Sequence, residues 1–182
     1  QALLDDPFYI GHRARRLVGT AYDAFIEKFV AGVSAVFPHA VVQWEDFHKR
    51  NAFRILDRYS RRLPSFNDDI QGTAAVAGAT VLSARRIPKR PVGEQRVVFM
   101  GAGEACTGIA QLLALAMAED GASPEAIRAS RFVFDSRGLL REGAEFDDPH
   151  KRALATPHDV LAHYGIDGLP APTPEDVIRR VK

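Results

Sequence analysis

Arg96-Val97-Val98-Phe99-Met100-Gly101-Ala102-Gly103-Glu104-Ala105 is the stretch that decides the fold. Its first half is a β-rich apolar run, its second half opens a helix, and Gly-Ala-Gly marks the junction. The helix is predicted over Ala105–Glu119, with Ile109, Leu112, Leu113, Ala116 and Met117 on its apolar side. A turn at Gly121–Pro124 and a short helical tail at Glu125–Ser130 follow. Phe132–Phe134 then reads as the next strand, ending at Asp135.

Strand, glycine turn, helix, strand, acidic residue is the order of a Rossmann mononucleotide-binding unit, and the fold class expected is therefore α/β. Gly101 would permit the tight turn, and Gly103 would let the backbone approach a pyrophosphate. The helix N-terminus would supply free N–H groups and a positive dipole end. Asp135 would accept hydrogen bonds from a ribose. The fit has two irregularities. The third glycine position falls on Cys106, with Gly108 two residues later, and Asp135 lies 32 residues after Gly103, against about 20 in the usual unit. A glycine-rich strand-to-helix turn without a ligand would show the same residues.

Upstream, Thr20-Ala21-Tyr22-Asp23 reads as a capping box opening a helix, with Tyr22, Phe25, Phe29, Val33 and Val36 on one face and Pro38 ending it. Ala40–Trp44 is a predicted strand. Asn51–Leu63 has helical spacing, and Ile70–Arg86, almost all small and apolar, suits a buried helix capped by Asn67 or Asp68. Ile87–Gly93 is the clearest compositional boundary. Short helices are predicted at Pro157–Tyr164 and Thr173–Val181, with a polar loop over Arg141–His150.

The 182 residues carry 24 Lys plus Arg against 23 Asp plus Glu, a formal charge of +1, which argues against a nucleic-acid partner. The stretches free of charged residues, Ile70–Ala84 and Ala105–Ala118, fall short of the roughly 18 apolar residues that span a bilayer. No membrane partner is expected. The single Cys106 permits no intrachain disulfide and suits a reducing compartment, so a cytoplasmic location is expected. Without an initiator Met at Gln1, the sequence reads as a segment of a longer protein.

Two acidic pairs carry a second chemistry. Glu45 and Asp46 end one predicted strand, and Asp68 and Asp69 precede a predicted helix. Hard divalent ions such as Mg²⁺ or Mn²⁺ take oxygen ligands, and such carboxylates with two oxygens of a 2-hydroxy or 2-keto acid would fill an octahedron. Solvated surface charge would look the same. His48 stands beside the cluster, but the histidines show no zinc-site spacing.

Phe66-Asn67-Asp68-Asp69-Ile70-Gln71-Gly72-Thr73-Ala74-Ala75-Val76 closely resembles the signature of malic enzymes. So do Gln43-Trp44-Glu45-Asp46-Phe47, Asn51-Ala52-Phe53, the run from Val98 to Ala105 with Gly108-Ile109-Ala110, and Asp135-Ser136-Arg137-Gly138-Leu139. The resemblance covers nearly the whole chain. It implies a metal/substrate-binding segment over residues 1–67, followed over 68–182 by the N-terminal part of an NAD(P)-binding domain, an incomplete Rossmann-type parallel sheet unit.

The resemblance further implies that Glu45, Asp46 and Asp69 hold Mg²⁺ or Mn²⁺, while Asp68 belongs to the catalytic network. Gly101, Ala102, Gly103, Glu104 and Ala105 would hold the pyrophosphate of NAD or NADP, and Asp135 the adenosine ribose. Ser136, Arg137, Lys151 and Arg152 are available near Asp135 for a 2′-phosphate. The implied reaction is oxidative decarboxylation of L-malate to pyruvate and CO₂, by hydride transfer from C2 and then decarboxylation assisted by the metal as a Lewis acid. The parent protein is expected to be a homo-oligomer. The family's catalytic Tyr and Lys, and an Arg that binds the malate carboxylate, match no motif of this chain. Tyr9, Tyr22 and Lys49 are not substitutes, so the segment alone is expected to be inactive. Malolactic enzyme, which shares these motifs but releases lactate, and a non-catalytic nucleotide-binding module are the alternatives.

Overall fold

The computed structural model describes residues 2–146 and 148–181, which divide into two compact units at Val41/Val42. In the first unit, a short helix α1 (Ala2–Asp5) leads into a loop held by one side chain. The Arg13 guanidinium donates to the carbonyls of Leu4, Asp6, Pro7 and Tyr9 at 3.0–3.3 Å. Helix α2 (Gly19–Val36) follows. Its N-cap is Val18, in extended backbone and without a side-chain cap bond, so the capping box expected at Thr20 does not form. Ile26 and Val30 are its buried residues, whereas Phe25 and Val36, expected on the inner face, are 56% and 68% exposed.

The second unit is built from two strand–helix–strand repeats. In the first, β1 (Val42–Trp44) and β2 (Ser65–Asn67) pair in parallel around α3 (Lys49–Tyr59). β2 is not legible in the sequence. Ser-Phe-Asn lacks β-branched residues, and only its partner makes it a strand. One π-helical turn over Asp68–Gly72 then leads into α4 (Thr73–Ala84). The Asn67 side chain accepts from the Ile70 N–H at 2.9 Å, so of the two expected caps Asn67 serves, ahead of the π turn rather than of an α-helix. Only Ala74 and Gly78 of α4 are buried, short of the buried helix expected, and Val76 is 72% exposed.

In the second repeat, a 3₁₀ turn at Val92–Glu94 precedes β3 (Val97–Met100), α5 (Glu104–Glu119), α6 (Pro124–Ala129) and β4 (Arg131–Asp135). β3 and β4 are parallel, and β5 (Gly138–Leu139) adds an antiparallel edge to β4. Three short helices close the chain: α7 (Pro149–Arg152), α8 (His158–His163) and α9 (Pro174–Arg180). β4 is covered on both faces. Phe132 and Phe134 pack with Val160, Leu161, Ile166, Val177 and Val181, while Val133 packs with Ala110 and Leu113 of α5. That alternation follows from the two-residue period of a strand. The α/β architecture expected from the sequence, with a small parallel sheet, is present.

Helix α5 lies unusually close to the π turn. A Cβ on the buried Gly108 would stand 2.0 Å from the Ile70 carbonyl oxygen. Gly108, displaced by two residues from the expected fingerprint position, thus serves close packing against the turn that carries Asp69.

Candidate metal and dinucleotide site

Each parallel pair presents its chemistry at the carboxyl ends of its strands, where ligands bind in open α/β sheets. Trp44 pairs in register with Asn67, so Glu45-Asp46 and Asp68-Asp69 leave the sheet side by side. Asp46 adopts a left-handed conformation, φ 58°. This turns its N–H toward the Asp69 carboxylate, to which it donates at 3.0 Å. Ligand atoms of Glu45, Asp46 and Asp69 lie within 4.8 Å of one another. Two trans ligands on an octahedral Mg²⁺ span about 4.2 Å, so small side-chain movements would close the set around one ion. Three carboxylates are also the donor type such hard cations take. Asp68 is not part of this cluster and folds back, its Oδ1 only 1.9 Å from where a Cβ on Gly72 would sit.

The other pair repeats the arrangement. Met100 is in register with Phe134, so Gly101 and Asp135 leave adjacent strands together. The Gly101 N–H donates to the Phe134 carbonyl at 2.9 Å, and its φ of +132° is one that only glycine takes freely. No atom lies within 4 Å of where a Cβ on Gly103 would sit, and Gly103 caps α5 without a side-chain bond. An open backbone ahead of an uncapped 16-residue helix is what a pyrophosphate requires. Glu104 and Ala105 form its first turn.

Lys49 joins the two halves, a role that sequence reasoning missed. Its ammonium donates to the Ala102 carbonyl at 3.1 Å and pairs with Asp148 at 2.6 Å. Asp148 in turn caps α7 by accepting from the His150 N–H at 2.9 Å. Glu104 also senses both halves: burial and the nearby Asp69 push its carboxyl above the ordinary value, against the charges of Lys49 and His48.

Asp135 is held by three groups. Its Oδ2 accepts from the Lys151 ammonium at 2.5 Å, its Oδ1 accepts from the Arg137 N–H at 2.8 Å, and the Arg137 guanidinium lies 3.9 Å away. Burial pushes this carboxyl up, but Lys151 and Arg137 outweigh it and hold it below the ordinary value. Ser136 and Arg137 are exposed beside it. Arg152 goes elsewhere. It borders a cavity with Arg128 and Arg131 that does not include Asp135, because adjacent positions on α7 face different ways. Burial pushes the Cys106 thiol up to about 11, consistent with a packing role.

Two family models match the chain: "Malic enzyme, N-terminal domain" over residues 1–60 and "Malic enzyme, NAD binding domain" over 70–182. The chain is 44% identical to the NADP-dependent malic enzyme of Mus musculus over 88% of its own length and 28% of that protein's. It is 40% identical to NAD-dependent malic enzyme 1 of Vibrio vulnificus over 88% of its length and 29% of the relative's. The crystal structure of Entamoeba histolytica malic enzyme superposes with a TM-score of 0.58 at 33% identity, covering 75% of this chain and 27% of that one. The chain thus spans under a third of the length of the curated relatives it matches here. These relatives do not favour the malolactic or non-catalytic alternatives. Among the described residues, no helix is long and apolar enough to cross a membrane.

Proposed function

Because this chain belongs to the malic enzyme family, we propose that it carries the metal site and the first half of the cofactor site of an NAD(P)-dependent enzyme that oxidatively decarboxylates L-malate to pyruvate. The observation that carries this reading is the clustering of Glu45, Asp46 and Asp69, with Lys49 bonded to the Gly101–Gly103 turn. The three carboxylates would hold Mg²⁺ or Mn²⁺, which would polarise a 2-oxygen of the substrate and take up developing negative charge. The Gly101–Gly103 backbone and the α5 N-terminus would bind the cofactor pyrophosphate, and Asp135, whose ionised carboxylate retains acceptor capacity beside its present partners, would bind the ribose. Asp68 would act in the network around the metal rather than as a ligand.

Relatives named NAD-dependent and NADP-dependent are similar to this chain to nearly the same degree, so either cofactor is proposed here. Arg137, exposed beside Asp135, is the cation available for a 2′-phosphate, with the Ser136 hydroxyl as a further donor. The chain by itself is catalytically silent on this reading, because none of its tyrosines or lysines stands in a motif matching the family's acid and base. A reducing, cytoplasmic setting and a homo-oligomeric parent complete the proposal. The test is product analysis on the intact protein with L-malate, Mn²⁺ and either cofactor. Pyruvate and reduced nicotinamide in equal amounts support the reading; lactate, or no malate-dependent product, overturns it.

A further inference from the structure

A second charged cavity lies beside the amino end of β4 and shares Ala144 and Phe146 with the hollow next to Asp135 and Arg137. It encloses about 530 Å³, a volume suited to a small ligand, and is bordered by Arg128, Arg131, Arg152 and Glu142 over a floor that includes Phe146 and Leu154. Arg131 begins β4 and Asp135 ends it. Five strand residues place them on the same face about 13 Å apart, so this cavity belongs to the amino end of the strand and the cofactor crevice to the carboxyl end.

Arg128, Arg152 and Glu142 stand exposed on the rim of the hollow. Arg131 is half-buried and anchored, its Nε donating to the Ile127 carbonyl at 3.3 Å and its Nη1 to the Ala110 carbonyl at 3.2 Å. Burial pushes its pKa down. Among the described residues, no carboxylate forms an ion pair with Arg128, Arg131 or Arg152, although the Arg128 charge helps to pull down the carboxyl of Glu125, three residues back on α6. Glu142, the one acid on the wall, accepts from the His158 N–H at 3.2 Å. Among the described lining residues, three guanidinium groups stand against one carboxylate, a positive excess that Glu125 beside Arg128 offsets in part. Planar guanidinium forks match phosphate oxygens, and a desolvated cation without a counter-ion gains most from a charge-assisted partner.

We propose that this cavity binds a phosphomonoester dianion, with Arg131 as the fixed anchor and Arg128 and Arg152 closing on the remaining oxygens. The described lining includes no residue of the Gly101–Gly103 turn, and the binding proposed here is independent of the reaction proposed above. A phosphomonoester carries close to two negative charges at neutral pH, which complements the positive wall.

The experiment titrates inorganic phosphate and phenyl phosphate into the intact protein by calorimetry, with NAD⁺ saturating and ionic strength held constant with chloride. Saturable, stoichiometric binding is expected. Arg128 donates no hydrogen bond among the described residues, so Arg128→Gln should fold normally, weaken phosphate binding by about tenfold or more and leave NAD⁺ affinity unchanged. Arg131→Lys should weaken it as well, since the charge stays but the fork is lost. Four results would each overturn the proposal: no saturable phosphate binding, equal binding in Arg128→Gln, equal binding of succinate, or stoichiometric displacement of phosphate by NADP⁺. The last would assign the cavity to the cofactor. Malate turnover is scored separately, so either proposal can fail without the other.

Discussion

The Lys49 ammonium donates to the Ala102 carbonyl at 3.1 Å, across 53 residues of sequence, and so ties the helix after the metal-ligand pair to the middle of the glycine turn. With that carbonyl fixed, the turn's amides are held in place to face a pyrophosphate. Lys49→Met should therefore weaken NAD(P) binding by about 1.5–3 kcal/mol, the worth of a hydrogen bond to a charged group. Equilibrium binding measured by cofactor fluorescence checks this, with Lys49→Arg as the partial rescue. Unchanged affinity in Lys49→Met would remove Lys49 from the site.

Gly103 and Gly108 should fail in opposite ways. Gly103→Ala meets no atom within 4 Å, so the melting temperature should hold while cofactor affinity drops, because the new methyl occupies the path of the phosphates. Gly108→Ala drives a Cβ to 2.0 Å from a backbone oxygen that cannot swing aside. Overpacking of this kind costs about 1–3 kcal/mol, seen as a fall in melting temperature of several degrees. A stable Gly108→Ala protein, or a Gly103→Ala protein that binds cofactor normally, would contradict the packing described.

Asp69 has two duties, as a candidate metal ligand and as acceptor of the Asp46 N–H. Asp69→Ala removes both, and Asp69→Asn keeps an acceptor while losing the charge. Mn²⁺ affinity, read by electron paramagnetic resonance, should fall in both variants and further in Asp69→Ala. Wild-type affinity in either would exclude Asp69 from the metal site.

The Asp135–Lys151 pair sets an acid limit. A carboxyl whose folded pKa lies below its unfolded value contributes stability above the unfolded value, about 3.9, and loses it as pH falls through the folded value. Lys151→Met removes the main opposition to burial. The Asp135 pKa should then rise, and the protein should lose stability at neutral pH by about 1–3 kcal/mol, with a smaller penalty in acid. Urea unfolding from pH 3 to 7 tests this, and parallel curves for the two proteins would contradict it.

Cys106, with its thiol near 11, should resist alkylation. At pH 8 about one thiol in a thousand is ionised, so iodoacetamide should label native protein far more slowly than unfolded protein. Equal rates would contradict the half-buried placement.

The strand–glycine–helix reading needed only local pattern, and β3 and α5 lie within one residue of where the sequence puts them. The carboxylates were legible as residue types, but their convergence depends on β2, in which Phe66 is the one strand-favouring residue. The capping box at Thr20 failed because a helix start depends on the backbone before it, and Val18 is already extended. Lys49 could not be read at all, since its partners Ala102 and Asp148 are brought to it only by tertiary packing. Lys151 and Arg152, grouped by sequence, separate because one turn of α7 points them to different neighbours.

If metal and cofactor occupy one crevice, Mn²⁺ added to the intact protein should relax the protons of the bound cofactor. Strong broadening of the nicotinamide protons is expected, abolished by Asp69→Ala while the cofactor stays bound. Broadening that is absent in the wild type, or that survives Asp69→Ala, would place the metal elsewhere and contradict the shared crevice.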